Sequence, residues 1–425
     1  MTTRSTRLRS IIGGSAGNLV EWYDWYAYSA FALYFASAFF PSDNRTLELL
    51  NTALVFAIGF LVRPIGGWLM GVYSDRHGRK SGLTLSVTLM CAGSVAIAVT
   101  PTYAQVGIAA PIILTLARMA QGLSLGGEYG ASATYMSEMA GRKHRGFWSS
   151  FQYVTLIGGQ LTALALLVLL QSVLTEAQMD AWGWRIPYAI GGVLAVVVFW
   201  LRRRLVETES FKNAQGTDTP RSSALTLFRD HPREALTVMA LTAGGTLAFY
   251  AYSIYMQKFL ANTAGFSREV ASGIMTAALF FFMCLQPAMG ALSDRIGRKP
   301  LMVAFGVLGL IATWPGFVAL ETVDNPYTAF AIVAGLLLIN SAYSAISGVV
   351  KAEMFPAHIR ALGVALPYAI ANAIFGGTAE PVALWLKNIG WERGFYAYVT
   401  VMIGLSLIVY TRMKDTRDHS RIVED

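Results

Sequence analysis

The sequence predicts an all-α integral membrane protein built as two pseudo-symmetric bundles of six helices each. Three observations carry that prediction. Of 425 residues, 55% are hydrophobic and only 14% charged, against about 25% charged in a soluble chain, so most of the polypeptide belongs in a bilayer. Apolar windows of about 20 residues, long enough to cross hydrocarbon as helix, recur twelve times. Finally, Gly71 to Lys80 (GVYSDRHGRK) returns as Gly290 to Lys299 (GALSDRIGRK), 219 positions further on, which marks the chain as a doubled unit.

The windows place helices near 14–40, 50–73, 82–100, 110–137, 147–172 and 186–204, then near 235–260, 270–293, 300–319, 327–350, 361–387 and 393–412. Pro64, Pro287, Pro315 and Pro367 fall inside these runs and predict kinks, tolerated where neighbouring helices satisfy the freed backbone groups. The expected organisation is a first bundle over 1–204, a linker over 205–234, and a second bundle over 235–425 with a short tail. The linker, Glu207 to Glu234, mixes charge with Gly216, Pro220, Ser222 and Ser223 and reads as a flexible tether. At the amino end, Arg4, Arg7 and Arg9 lead into an apolar segment that holds Glu21 and Asp24 and lacks a convincing cleavage site, which predicts a retained first helix. Cys91 and Cys284 lie in apolar runs of different halves and are expected to be packing residues.

Charge gives the orientation. Both tails and the even-numbered connections hold 25 of the 33 Lys and Arg residues, while the odd connections hold five: Arg45, Arg185, Arg268, Lys387 and Arg393. Both termini are therefore predicted to be cytoplasmic. The net charge of +8 is spread over short loops rather than gathered on one module, so topology explains it better than nucleic acid does. No HExxH, nucleophile elbow, Walker loop or cysteine metal motif occurs, which argues against an enzyme, a metal site or any cofactor.

Each copy of the repeated decapeptide is a tight basic turn between two helices, with Asp75 or Asp294 at a helix end, glycine permitting the turn, and Arg76, His77, Arg79, Arg295 and Arg298 as its cations. A second repeat follows helices four and ten: Glu138 and Arg145 recur as Glu353 and Arg360, 215 positions on. These acids and cations are gating candidates at the cytoplasmic mouth.

Glu21, Asp24, Arg63, Arg118, Glu128 and Glu380, with Lys258 at an edge, remain inside the apolar runs. Each costs roughly 2.5 to 3.5 kcal/mol to insert, so such groups face a wet cavity or one another. Asn18, Glu21, Asp24 and Tyr28 share one face of helix one, and Arg118, Gln121, Glu128, Ser132 and Tyr135 form a similar stripe on helix four. Arg118 and Glu128 are about 15 Å apart along the axis, too far to pair directly. Helix five adds Gln152, Thr155 and Gln160; helix seven ends with Tyr252, Tyr255, Gln257 and Lys258; helix ten carries Asn340, Ser344 and Ser347. Together these faces predict an internal polar pathway, the alternative being interhelical glue. All five histidines lie in loops or tails, so if the pathway carries a solute with protons, a carboxylate must hold the proton: Glu21, Asp24, Glu128 or Glu380.

The repeated pattern GxxxDRxGRK resembles the signature loop of the major facilitator superfamily. NLVEWYDWYAYS (18–29), FLVRPIGG (60–67), ARMAQGLSLGGEYGASATYMSE (117–138), SSFQYVTLIGGQL (149–161), WGWRIP (182–187), KAEMFPAHIRALG (351–363) and ANAIFGGTAE (371–380) resemble its metabolite:proton symporter branch. The resemblance implies a monomeric inner-membrane carrier that imports alpha-ketoglutarate or a related dicarboxylate with protons by alternating access. Other organic anions or osmolytes (citrate, shikimate, proline, betaine) and a transporter-like sensor are the alternatives. It further implies functional positions at Arg63, Arg185, Asp75, His77 and Arg79. Arg63 suits a carboxylate because its planar fork meets two oxygens, with Lys258 or Arg118 for the other carboxylate. Tyr26, Tyr129, Gln152, Gln160, Tyr255 and Asn340 complete the candidate substrate set.

Overall fold

The computed structural model describes residues 4–77, 79–126, 129, 133–134, 136–137, 140–203, 223–356 and 359–422, the side chains of 4–18, 71–72, 74–84, 87, 195 and 198–203 excepted. Twelve principal helices are present among them. In the first half these are α1 (Arg4–Phe39), α2 (Arg45–Leu61, resuming as Arg63–His77), α3 (Arg79–Val99), α4 (beginning as Ala109–Leu125), α5 (Phe151–Val173, entered through Arg145–Ser149) and α6 (Ile186–Arg203). In the second they are α7 (Pro232–Tyr250, a π turn at Ala251–Tyr255, then Met256–Asn262), α8 (Arg268–Ile296), α9 (Arg298–Leu320) and α10 (Pro326–Glu353). They are followed by α11 (Arg360–Ala371, a π turn at Asn372–Gly376, then Ala379–Asn388) and α12 (Arg393–Arg412). Eight of the described helices are long and apolar enough to cross a membrane by themselves; Thr88–Val99 of α3 and Ala109–Leu125 of α4 are shorter apolar stretches.

Within the first half α1 packs on α5, and α3 on α4 and α6; within the second α8 packs on α10, α9 on α10 and α12, and α7 on α11 and α12. The halves meet along two seams, α5 against α8 and α2 against α11. Small residues let the first seam close. A Cβ on Gly290 would come within 2.5 Å of the Gly146 carbonyl oxygen, and one on Gly146 within 2.6 Å of the Gly290 oxygen, so the two backbones touch where neither residue carries a side chain. The turn between α8 and α9 needs Gly297 for a different reason: its φ is +101°, a conformation L side chains rarely adopt.

Helices α8, α9 and α11 run on through Pro287, Pro315 and Pro367. At Pro64 the chain behaves differently. Proline has no N–H to offer the carbonyl four residues back, and α2 breaks at Val62, with Arg63 at the start of the next helical piece. The end of the expected tether is also ordered: Ala224–Asp230 is a short helix, with the Ser223 hydroxyl accepting from the Thr226 N–H at 3.1 Å and Leu227 buried. Both cysteines are free thiols; Cys284 is exposed on α8 rather than packed inside.

Candidate functional site

The site is built around Trp25 on α1. The Arg63 guanidinium, delivered by the break in α2, lies 4.0 Å from the Trp25 ring centroid and 4.0 Å from that of Phe60. From α4, the Arg118 guanidinium also lies 4.0 Å from Trp25, and 4.5 Å from Tyr28. Both arginines are buried, at 5% and 0% exposure. Weakly hydrated guanidinium tolerates such aromatic surroundings, yet Nε and Nη2 of each have no hydrogen-bond partner among the described residues. For Arg63 the electrostatic neighbours are the tyrosines Tyr250, Tyr368 and Tyr26. Two buried forks with open donors are an anion-binding arrangement.

Asp24, next to Trp25, faces the interior of its own half. Its Oδ2 accepts from Ser94 Oγ at 2.5 Å and from Gln121 Nε2 at 2.6 Å, while Gln121 Oε1 accepts from Arg118 Nη1 at 2.7 Å. Gln121 therefore wires the carboxylate to the arginine. Asp24 Oδ1 has no hydrogen-bond partner among the described residues. Glu21 is buried one turn earlier. Lys258 and Glu380 neutralise each other at 2.9 Å, and Lys258 Nζ also donates to Ser29 Oγ of α1 at 2.6 Å. Lys258 thus already has a carboxylate partner within the protein.

Between the halves lies a small cavity, with room for about one water molecule, lined by Tyr26 and Ser29 of α1, Gln160 and Leu164 of α5, and Ser253 and Gln257 of α7. The π turn of α7 presents the Ser253 carbonyl here, and Gln160 Nε2 donates to it at 2.8 Å across the seam. Other candidates lie around this centre. Asn340 Nδ2 approaches the Gly245 carbonyl at 3.4 Å with its Oδ1 open, and Gln152 donates to the Tyr129 carbonyl at 3.3 Å. Tyr255 instead points to the connection before α12, its hydroxyl donating to Glu392 at 3.3 Å.

At the end carrying the second repeated loop, Asp294 of α8 accepts from the backbone N–H groups of Gly146 and Phe147, at 2.8 and 2.9 Å, and from Arg298 at 2.7 Å. A carboxylate from one half thus caps the entry to α5 in the other. Glu353 lies 3.9 Å from Arg145 across the seam and 3.5 Å from Arg298, and accepts from the Thr416 hydroxyl at 2.6 Å. The repeat suggests pairing Glu353 with Arg360; in the fold Arg360 donates to the carbonyls of Phe355 and Arg421, because the chain folds back over it. Arg295 is exposed, and its carbonyl accepts from Arg417. Arg185, at the other end, donates to the carbonyls of Ala181 and Thr100 and stacks on Trp184, tying a loop to α3. Glu128 and Glu138, and the side chains of Asp75, Arg76, His77 and Arg79, lie outside the described residues.

Three further groups lie at the seam. Lys351, one residue beyond the helix expected at 327–350, is the last basic residue inside α10 and is fully buried beside Tyr129 and Tyr368, whose rings stack 3.6 Å apart. Its signal was present, since it continues the Asn340, Ser344, Ser347 stripe by one more helical step. Tyr250 and Asn372 had no periodic signal. The amide of Asn372 sits in the second π turn with both polar atoms unpartnered among the described residues.

Two six-helix units that meet along paired helices, with buried cations turned toward the seam, define a membrane carrier that moves a small solute between its halves. Residues 11–218 match the family model described as Sugar (and other) transporter, and residues 241–424 the one described as Major Facilitator Superfamily. Over 411 residues the chain is 56% identical to the alpha-ketoglutarate permease of Escherichia coli (strain K12), covering 96% of this chain and 94% of the permease. It is 31% identical over 415 residues to the citrate-proton symporter of Klebsiella pneumoniae, covering 96% and 93%. The proton:xylose symporter XylE bound to 6-bromo-6-deoxy-D-glucose superposes with a TM-score of 0.79 over 99% of this chain and 98% of that one, at 17% identity, a likeness of fold alone. The chain belongs to the major facilitator superfamily.

Proposed function

We propose that the protein is a monomeric proton symporter that imports alpha-ketoglutarate across a bacterial inner membrane by alternating access, with both termini in the cytoplasm. The observation that carries this reading is the 56% identity to an alpha-ketoglutarate permease along nearly the whole of both chains. The unpartnered donors of Arg63 support it, since a carboxylate is the natural group to fill them. In this reading the substrate sits between the halves, with one carboxylate on Arg63. The coupling proton resides on Asp24, whose link through Gln121 to Arg118 makes its protonation felt beside Trp25. Symport follows because a dianion brought into a low-dielectric site favours uptake of compensating protons nearby.

The test is uptake of labelled alpha-ketoglutarate into proteoliposomes with and without an inward proton gradient. Gradient-driven accumulation displaced best by unlabelled alpha-ketoglutarate is the expected result. Accumulation displaced only by citrate, shikimate or betaine moves the substrate elsewhere, and uptake indifferent to the gradient removes the symport.

A further inference from the structure

Most of the buried cations of the two halves are already answered inside the protein. Lys258 has Glu380, Arg298 has Asp294 and Glu353, Arg145 has Glu353, and Arg118 is joined to Asp24 through Gln121. Lys351 is different. Its Nζ donates to Ser347 Oγ at 3.1 Å, reaches the Tyr129 hydroxyl at 3.5 Å, and lies 4.3 and 5.5 Å from the ring centroids of Tyr368 and Tyr129. No carboxylate pairs with it among the described residues, although its exposure is 0%. Aromatic faces and hydroxyls hold an ammonium more weakly than an anion does when water is excluded. An ammonium kept at such a place is matched to an anion that comes and goes.

Its position narrows the choice. Tyr368 holds Lys351 Nζ over its ring and is also one of the tyrosines that influence Arg63 electrostatically. Arg63 belongs to α2 of the first half and Lys351 to α10 of the second, and the Tyr129–Tyr368 stack crosses the same seam. Each half therefore brings one cation without a carboxylate partner among the described residues to the neighbourhood of Tyr368. The geometry points to Lys351 as the second carboxylate-binding residue, partnering Arg63, so that a dicarboxylate bridges the two halves beside Tyr368. This rests on the dicarboxylate reading above and deepens it. A monocarboxylate satisfies one cation and leaves the other on its rings, so the arrangement selects for two charged ends.

The experiment measures equilibrium binding of labelled alpha-ketoglutarate to the purified full chain in detergent, with 2-oxopentanoate, the same carbon chain lacking the distal carboxylate, as competitor. Thermal unfolding without ligand is followed in parallel. Lys351→Gln is expected to weaken alpha-ketoglutarate binding by about tenfold or more and to shrink its preference over 2-oxopentanoate. Unfolding should come no earlier, since an uncompensated buried charge has been removed. Lys351→Arg should restore part of the affinity. Wild-type affinity in Lys351→Gln overturns the assignment. So does earlier unfolding with equal loss for both acids, which marks a structural lysine. If the parent binds citrate but not alpha-ketoglutarate, the proposed substrate falls and the same comparison with citrate decides Lys351. Binding of monocarboxylates or betaine alone overturns both.

Discussion

Trp25 is the residue on which two buried arginines of the first half, Arg63 and Arg118, converge, each guanidinium 4.0 Å from its ring, and the preceding residue of α1, Asp24, holds the carboxylate wired to one of them. This adjacency couples a titratable group to an anion site within one turn of helix. Two predictions belong here. Arg63→Ala should reduce uptake by at least about a hundredfold, the loss of two charge-assisted hydrogen bonds at roughly 1.5 kcal/mol or more each, while the protein still inserts; Arg63→Lys should recover little, because an ammonium lacks the planar fork. Normal uptake by Arg63→Ala removes the residue from the substrate site. Asp24→Asn should lower gradient-driven accumulation by about tenfold or more, roughly 1.4 kcal/mol, while exchange of labelled for unlabelled substrate at equal pH persists. If accumulation still follows the gradient, the proton rides elsewhere, Glu21 being the next group to change. Periodicity made Asp24, Arg118 and Gln121 legible as polar faces. It did not reveal that two arginines share one tryptophan, since that meeting depends on where α2 breaks and how α4 crosses α1.

At the scale of elements, the informative contacts are those that side-chain spacing on one helix does not contain. Helices α5 and α8 approach as closely as glycine allows, and Asp294 caps the entry to α5 from the opposite half. Gly290→Val places two methyl groups against the Gly146 carbonyl, so the closed form of this end should be depopulated. A cysteine introduced nearby in a background lacking Cys91 and Cys284 should then label several-fold faster with a water-soluble maleimide; unchanged labelling would mean that the seam accommodates the added volume. Within the second half, Lys258 and Glu380 form a buried pair between α7 and α11. Removing either partner alone strands the other charge and should destabilise by about 3 to 5 kcal/mol. Lys258→Met with Glu380→Gln together should be milder than either single change, as read from thermal unfolding. Additive losses would show that the two charges act independently. The sequence read Glu380 and Lys258 as separate candidates for a proton and a substrate, because 122 residues separate them and nothing local pairs them.

For the whole molecule, contacts among the described residues join the halves near both ends of the seam. At one end Asp294, Arg145 and Glu353 join the halves. At the other, Arg268 of α8 reaches Asp180 at 2.7 Å and Glu176 at 3.5 Å in the short helix Glu176–Ala181, and Gln171 of α5 donates to Ser272 of α8 at 3.3 Å. The cavity lined by Tyr26, Gln160 and Ser253 has room for about one water, so it does not hold a dicarboxylate in this arrangement. These contacts lie at opposite ends of the seam, and weakening either set is expected to shift the population toward opening on its side. Arg268→Ala removes partly exposed ion pairs worth about 0.5 to 1 kcal/mol. It should raise accessibility at the Glu176 end by about two- to five-fold, the opposite sense to Gly290→Val. Equal labelling at both ends in Arg268→Ala would disconnect that pair from gating.

The sequence by itself determined the class of structure. A bilayer enforces long apolar helices, so twelve windows are visible by counting, and a duplicated unit must repeat its turn chemistry, so the two decapeptides announce two halves. Those are local properties, written in consecutive residues. Only the tertiary structure decided which charges are spent and which are free. Lys258 is quenched by Glu380, Glu353 reaches across to Arg145, and Lys351, just past the expected end of α10, is buried over Tyr368. Electrostatic energy in a low-dielectric interior depends on distances of a few ångströms between helices remote in sequence, and no spacing along a single helix encodes them.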